Sequence, residues 1–64
     1  MNRLKVARAE IRRTQFLLSL ETRIPQSRIS FIENGLIEPR QDEKERLAKA
    51  LGLGPDEIFP EVQK

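Results

Sequence analysis

The chain contains no cysteine, histidine, tryptophan or tyrosine, and only three glycines. Without cysteine or histidine it has neither a disulfide framework nor the usual ligands of a structural zinc site. The absence of cysteine also fits a reducing, cytoplasmic setting. The same absences remove the common nucleophile and general-base pairs, and no glycine-rich phosphate loop is present. The carboxylates are scattered rather than paired, so no catalytic role, cofactor, metal or small-molecule ligand is expected. No apolar run approaches the length of a membrane span, and the basic N-terminus lacks the apolar stretch of a signal peptide.

What remains is 64 residues, 38% of them apolar and 34% charged, with a net charge of +2. That length gives one domain, which buries only about 60% of its unfolded surface and must rely on well-patterned helices. The charge is uneven. Residues 1–40 hold eight Lys/Arg against four Glu, whereas residues 41–64 hold four basic against six acidic residues. A basic half suits a surface that meets phosphates, although an ordinary solvated mixed-charge surface gives the same count.

The stretch TQFLLSLETRIPQSRISFIENG, residues 14–35, organises the rest. Thr14 reads as the N-cap of one short helix beginning at Gln15, with Leu18, Ser19 and Thr22 inward. Pro25 suits the start of the next, in which Ile29 and Ile32 face one way. Gln26, Ser27, Arg28 and Phe31 are then left pointing outward, and Asn34-Gly35 ends the element. Amide and hydroxyl groups beside an apolar group, on the outer side of a short helix, match what reads base edges in a DNA major groove.

Around this pair, Asn2 caps a first helix over 3–11 with Leu4, Ala7 and Ile11 as its stripe. Arg8 lies beside that stripe and needs a partner there, because an unpaired buried charge is costly. A fourth helix is expected from about Arg40 or Gln41 to Leu51. Asp42 and Glu43 lie at its positive end, Leu47, Ala48 and Leu51 face inward, and Gly52 caps it with Leu53 folding back. A last helix starts at Gly54-Pro55, docks Ile58 and Phe59, and stops at Pro60, leaving 61–64 as a frayed tail. Leu36 and Ile37 are expected over the core edge in preference to touching DNA sugars. Phe16, Leu17 and Leu20 either pack onto neighbouring helices, the favoured expectation, or contact a second subunit or another protein.

The pattern resembles the lambda-repressor/Cro-like helix-turn-helix family, whose text runs T-Q-x-x-L-A…I-S-x-x-x-I-S-x-I-E-N-G. The match is carried by Thr14, Gln15, Leu18, Ile24, Ile29, Ser30, Ile32, Glu33, Asn34 and Gly35. Arg3, Leu4, Arg8, Pro39, the run Leu47–Gly52 and the run Asp56–Phe59 extend it over about the whole chain. The resemblance implies an all-α, compact five-helix lambda-repressor-like domain whose third helix enters the major groove of double-stranded DNA.

By the same resemblance, Gln15 meets a phosphate and braces Gln26, which takes an adenine edge, while Ser27 bonds the neighbouring pair. Arg28 reaches a guanine or a phosphate, or is solvated. Phe31 meets a thymine methyl or covers the core edge. Asn34 fixes a phosphate, Arg13 and Arg40 stand where phosphates are expected, and Arg8 pairs with Glu33. The sequence departs from the family at Arg12-Arg13, where Gly and an apolar residue are usual, and at Gln41 and Lys44. A sequence-specific transcription regulator is implied, a homodimer on a palindromic operator, with the last helix around Ile58 and Phe59 as the interface. The alternative is a protein-interaction module with this fold, such as an antitoxin or accessory subunit.

Overall fold

Thr14, Pro25, Arg40 and Gly54 each stand one residue before a helix, and the helices they start account for most of the architecture. A computed structural model describes residues 2–60. Its elements are α1 (Leu4–Glu10), α2 (Gln15–Thr22), α3 (Gln26–Glu33), α4 (Gln41–Leu51) and α5 (Pro55–Ile58), with no strand among the described residues. The expected tail at 61–64 lies outside them. No helix among the described residues is long and apolar enough to cross a membrane.

The helix ends follow from side-chain and backbone chemistry. Thr14 Oγ1 accepts the Leu17 N–H at 3.1 Å, satisfying an orphan donor of α2. Asn2 serves both ends of a contact: its Oδ1 accepts the Leu4 N–H at 3.0 Å, and its Nδ2 donates to the Ile32 carbonyl at 2.8 Å. The start of α1 is thereby tied to the end of α3. Gly35 (φ 73°) and Gly52 (φ 72°) adopt the left-handed conformation that closes α3 and α4. At the second of these, Leu53 N–H reaches Ala48 O at 2.9 Å and Gly52 N–H reaches Lys49 O at 3.2 Å. Both are orphan carbonyls of the last turn of α4.

Leu4, Ala7, Leu18, Ile24, Ile29, Ile32, Leu47, Ala48, Leu51, Ile58 and Phe59 form the core. Every helix contributes to it. The Arg3 N–H donates to Ile58 O at 2.8 Å, so the first and last segments close on each other.

Several apolar residues depart from expectation. Ile11 is exposed because α1 ends at Glu10 and the chain turns at Arg12 (φ 55°), which rotates Ile11 off the Leu4–Ala7 stripe. Leu36 is exposed, since the turn at Gly35 swings it outward; Ile37, next to it, packs on the core. Leu53 is also left exposed. Phe16, Leu17 and Leu20 lie outside at 57%, 45% and 60% exposure, not packed onto neighbouring helices. They sit on α2 opposite Leu18 and Thr22, and α3 and α4 cover only that inner side. Conversely, Ile58 and Phe59 are buried, so the dimer face expected there is occupied by the domain's own core.

Candidate nucleic-acid interface

The turn between α2 and α3 is fixed from within. Thr22 Oγ1 donates to Leu18 O at 2.8 Å and accepts the Ile24 N–H at 3.3 Å. Arg23 takes a left-handed φ of 62°, returning its N–H to Ser19 O at 2.8 Å. Ile24 is buried, Pro25 supplies φ −54° just ahead of α3, and Arg46 Nη1 of α4 donates to Thr22 O at 3.0 Å. A proline-fixed φ suits this position. The angle between the two helices is therefore set by bonds and packing on both sides of the turn.

On α3, Ile29 and Ile32 are buried. At about 100° per residue, Gln26, Ser30, Asn34, Ser27 and Phe31 occupy one continuous arc of about 140° on the other side. Gln26 and Ser27 are exposed, Ser30 is half-buried, and Phe31 keeps 47% of its surface open to solvent. Asn34 is exposed at the end of the helix, with Nδ2 donating to Ser30 O at 2.9 Å. This arc is polar, uncharged and carries one aromatic ring.

Two carboxylates flank the arc and fasten α3 to its neighbours. On one flank Glu33, 7% exposed, receives Arg8 Nε at 2.6 Å and Arg8 Nη2 at 3.2 Å. Gln15 Nε2 adds a third donor at 3.0 Å, and Arg8 Nη1 reaches Arg13 O at 2.9 Å. Glu33 thus joins α1, α2 and the link between them to α3. Gln15 sits at the first position of α2 as expected, but its amide is engaged by Glu33 and does not brace Gln26.

On the other flank the expectation of an outward Arg28 is corrected. Arg28 turns toward α4, donating from Nε to Glu43 Oε2 at 2.6 Å and from Nη2 to Oε1 at 2.9 Å. Glu43 Oε1 also accepts the Arg40 N–H at 2.8 Å, and the Arg40 guanidinium lies 3.6 Å from Oε2. The hydrogen bonds from Arg28, reinforced by Arg40, hold the buried Glu43 carboxyl at a pKa of about 2 against the opposing effect of burial. Hydrogen bonding to Glu43 likewise raises the already high pKa of Arg28.

Of the remaining cations, Arg13 pairs with Glu21 across α2, leaving its side chain about a quarter exposed. Arg40 is exposed at the start of α4, its guanidinium 3.8 Å from Asp42. Ser30 and Glu43 belong to this surface and its flank without being among the residues expected from the sequence. Ser30 has the wheel position for it, midway between Gln26 and Asn34. Glu43 stands four residues before Leu47 and eight before Leu51, a spacing that places it on the buried face of α4.

A family model described as helix-turn-helix matches residues 4–58. No curated protein matches the chain.

Proposed function

The chain belongs to the helix-turn-helix family of the Cro/C1 type, a family of DNA-binding regulators, and from that premise we propose that it is a sequence-specific transcription regulator. The observation that carries this reading is the exposed arc of α3. Gln26, Ser27 and Phe31 are held outward on a helix anchored on both flanks by buried carboxylates. Gln26 addresses an adenine edge through N6 and N7, Ser27 bonds the neighbouring pair, and Phe31 meets a thymine methyl. Gln15, through the Nε2 hydrogen that Glu33 does not take, Asn34 at the end of α3, Arg13 and Arg40 hold phosphates, which positions the helix without reading sequence. Such a protein works in the cytoplasm.

One eight-residue helix spans only a few base pairs, too few to single out a site in a genome. Two copies on a palindromic operator, with half-sites about one helical turn apart, supply the missing specificity. With Ile58 and Phe59 buried, the strip of Phe16, Leu17 and Leu20, three exposed apolar side chains on one face of α2, is the surface we assign to that second copy.

The same strip favours a second reading, a protein-interaction module that meets another protein and not DNA. Salt separates the two. Binding of the protein to mixed-sequence duplex DNA should weaken steeply as salt rises for the regulator, because each phosphate contact releases counterions. Weak, salt-independent binding would favour the interaction module.

A further inference from the structure

The arc of α3 that faces outward contains no cation. Its members are Gln26, Ser27, Ser30, Phe31 and Asn34. The one arginine of the helix, Arg28, stands about 60° past Phe31 at the edge of that arc, and a two-point bond to Glu43 at 2.6 and 2.9 Å holds its side chain toward α4 and away from it. Guanine is read most often by a bidentate Arg or Lys on O6 and N7, whereas Gln suits adenine and an apolar group suits the thymine methyl. We propose that Glu43 withdraws Arg28 from the reading face, so that α3 addresses duplex DNA presenting A·T pairs, not G·C pairs, at the positions it touches. This rests on the regulator reading, and it names the class of site and a residue that sets it without touching DNA.

The geometry opposes an exchange of partners on binding. Glu43 has a side-chain exposure of 2%, while that of Arg28 is 33%. Swinging Arg28 to a guanine would strand the carboxylate in a buried place with only the Arg40 N–H bond at 2.8 Å and a longer contact to the Arg40 guanidinium. The gain from one bidentate guanine contact, about five- to 150-fold in discrimination, is offset by that loss. Glu43 therefore acts as a positioning residue for specificity, through the side chain it holds back.

Selection of bound duplexes from a random pool tests this with three proteins: the parent, Arg28→Met and Glu43→Gln. The parent should enrich A·T pairs at the α3 positions of each half-site. Arg28→Met should enrich the same sequence. A folded Glu43→Gln protein, with the carboxylate neutralised, should admit a guanine at one position per half-site and bind that site at least fivefold better than the parent does. A guanine in the parent's site that Arg28→Met loses would overturn the proposal while leaving the regulator reading intact. So would a folded Glu43→Gln protein with the parent's preference unchanged. If either single variant does not fold, the double variant Arg28→Met/Glu43→Met, which leaves no lone buried charge, replaces it: its selected sequence should match the parent's, and a guanine present for the parent and lost there overturns the proposal. No enriched sequence for the parent, together with binding insensitive to salt, would instead defeat the regulator reading.

Discussion

Arg8 of α1 and Glu33 of α3 meet in a two-point ion pair, with side-chain exposures of 16% and 2%. The carboxylate also receives Gln15 from α2, so one buried charge orders three helices. Removing it strands Arg8 and leaves the Gln15 amide without its partner. Glu33→Ala should cost about 3–5 kcal/mol, as breaking a buried pair does. In a domain this small that lowers the melting midpoint by more than about 10 °C. Replacing both partners by apolar residues of similar volume should recover much of the loss, since no lone charge is left. A Glu33→Ala midpoint within about 5 °C of the parent would contradict this account.

The second flank predicts an acid response. The Glu43 carboxyl titrates at about 2 in the folded chain against an ordinary 4.5. A carboxyl lowered in this way stabilises the fold above its unfolded value and loses that contribution as pH falls through the folded one. The loss should therefore develop between about pH 4.5 and pH 2. Urea midpoints for the parent and Glu43→Gln, measured through that range, should lie furthest apart above pH 4.5 and converge toward pH 2. Parallel curves would show that the Arg28–Glu43 pair contributes nothing to folding.

Two arginines hold left-handed backbone, Arg12 at φ 55° and Arg23 at φ 62°. A side chain in that region costs about 1 kcal/mol or more, partly offset by the greater unfolded-state entropy of glycine. Arg12→Gly and Arg23→Gly should each raise the melting midpoint by a few degrees, a net gain of up to about 1 kcal/mol. A fall in either midpoint would mean that the arginine side chain makes contacts worth more than the strain.

The assembly question now turns on exposure. Leu20 is 60% exposed and Phe59 is 7% exposed. If the α2 strip holds the second copy, Leu20→Glu should abolish association in sedimentation and leave the melting midpoint of the single domain nearly unchanged. Phe59→Ala should instead cost about 3–5 kcal/mol of folding stability, as a truncated core aromatic does. A chain that remains monomeric at every concentration would remove the dimer from the proposal.

Local chemistry makes much of this legible in the sequence alone. Thr14, Pro25, Gly52 and Pro55 mark helix ends by what they do to backbone hydrogen bonds and φ, and the helices begin and end close to them. Arg8 beside an apolar stripe demanded a partner, and Glu33 stands there. The pairing of Arg28 with Glu43 was hidden because it spans 15 positions and depends on how the loop through Pro39 lays α4 against α3. Glu43 also suits the dipole of its own helix, although its spacing to Leu47 and Leu51 points inward. Phe16, Leu17 and Leu20 mislead in the opposite direction. Apolar composition suggests burial, but whether a helix face is covered depends on elements elsewhere in the chain, and among the described residues none reaches this one.

The proposed reading of DNA rests on Gln26. It is exposed in the first turn of α3, just after Pro25, and its side-chain amide has one donor and one acceptor end to match adenine N6 and N7 together. Gln26→Ala should lose about 1–3 kcal/mol on the preferred site and relax the choice of base at one position per half-site. Arg40→Ala should behave differently if Arg40 holds a phosphate. It should weaken binding to all sequences alike and make the salt dependence shallower by about one unit. Because Arg40 also lies 3.6 Å from Glu43, the melting midpoint of that variant must be checked alongside. Attraction of a basic surface to any polyanion would produce the Arg40 pattern at both positions. A Gln26→Ala protein that distinguishes its site from random DNA as well as the parent does would show that α3 is not the reader, and the interaction module would then be the better account of the fold.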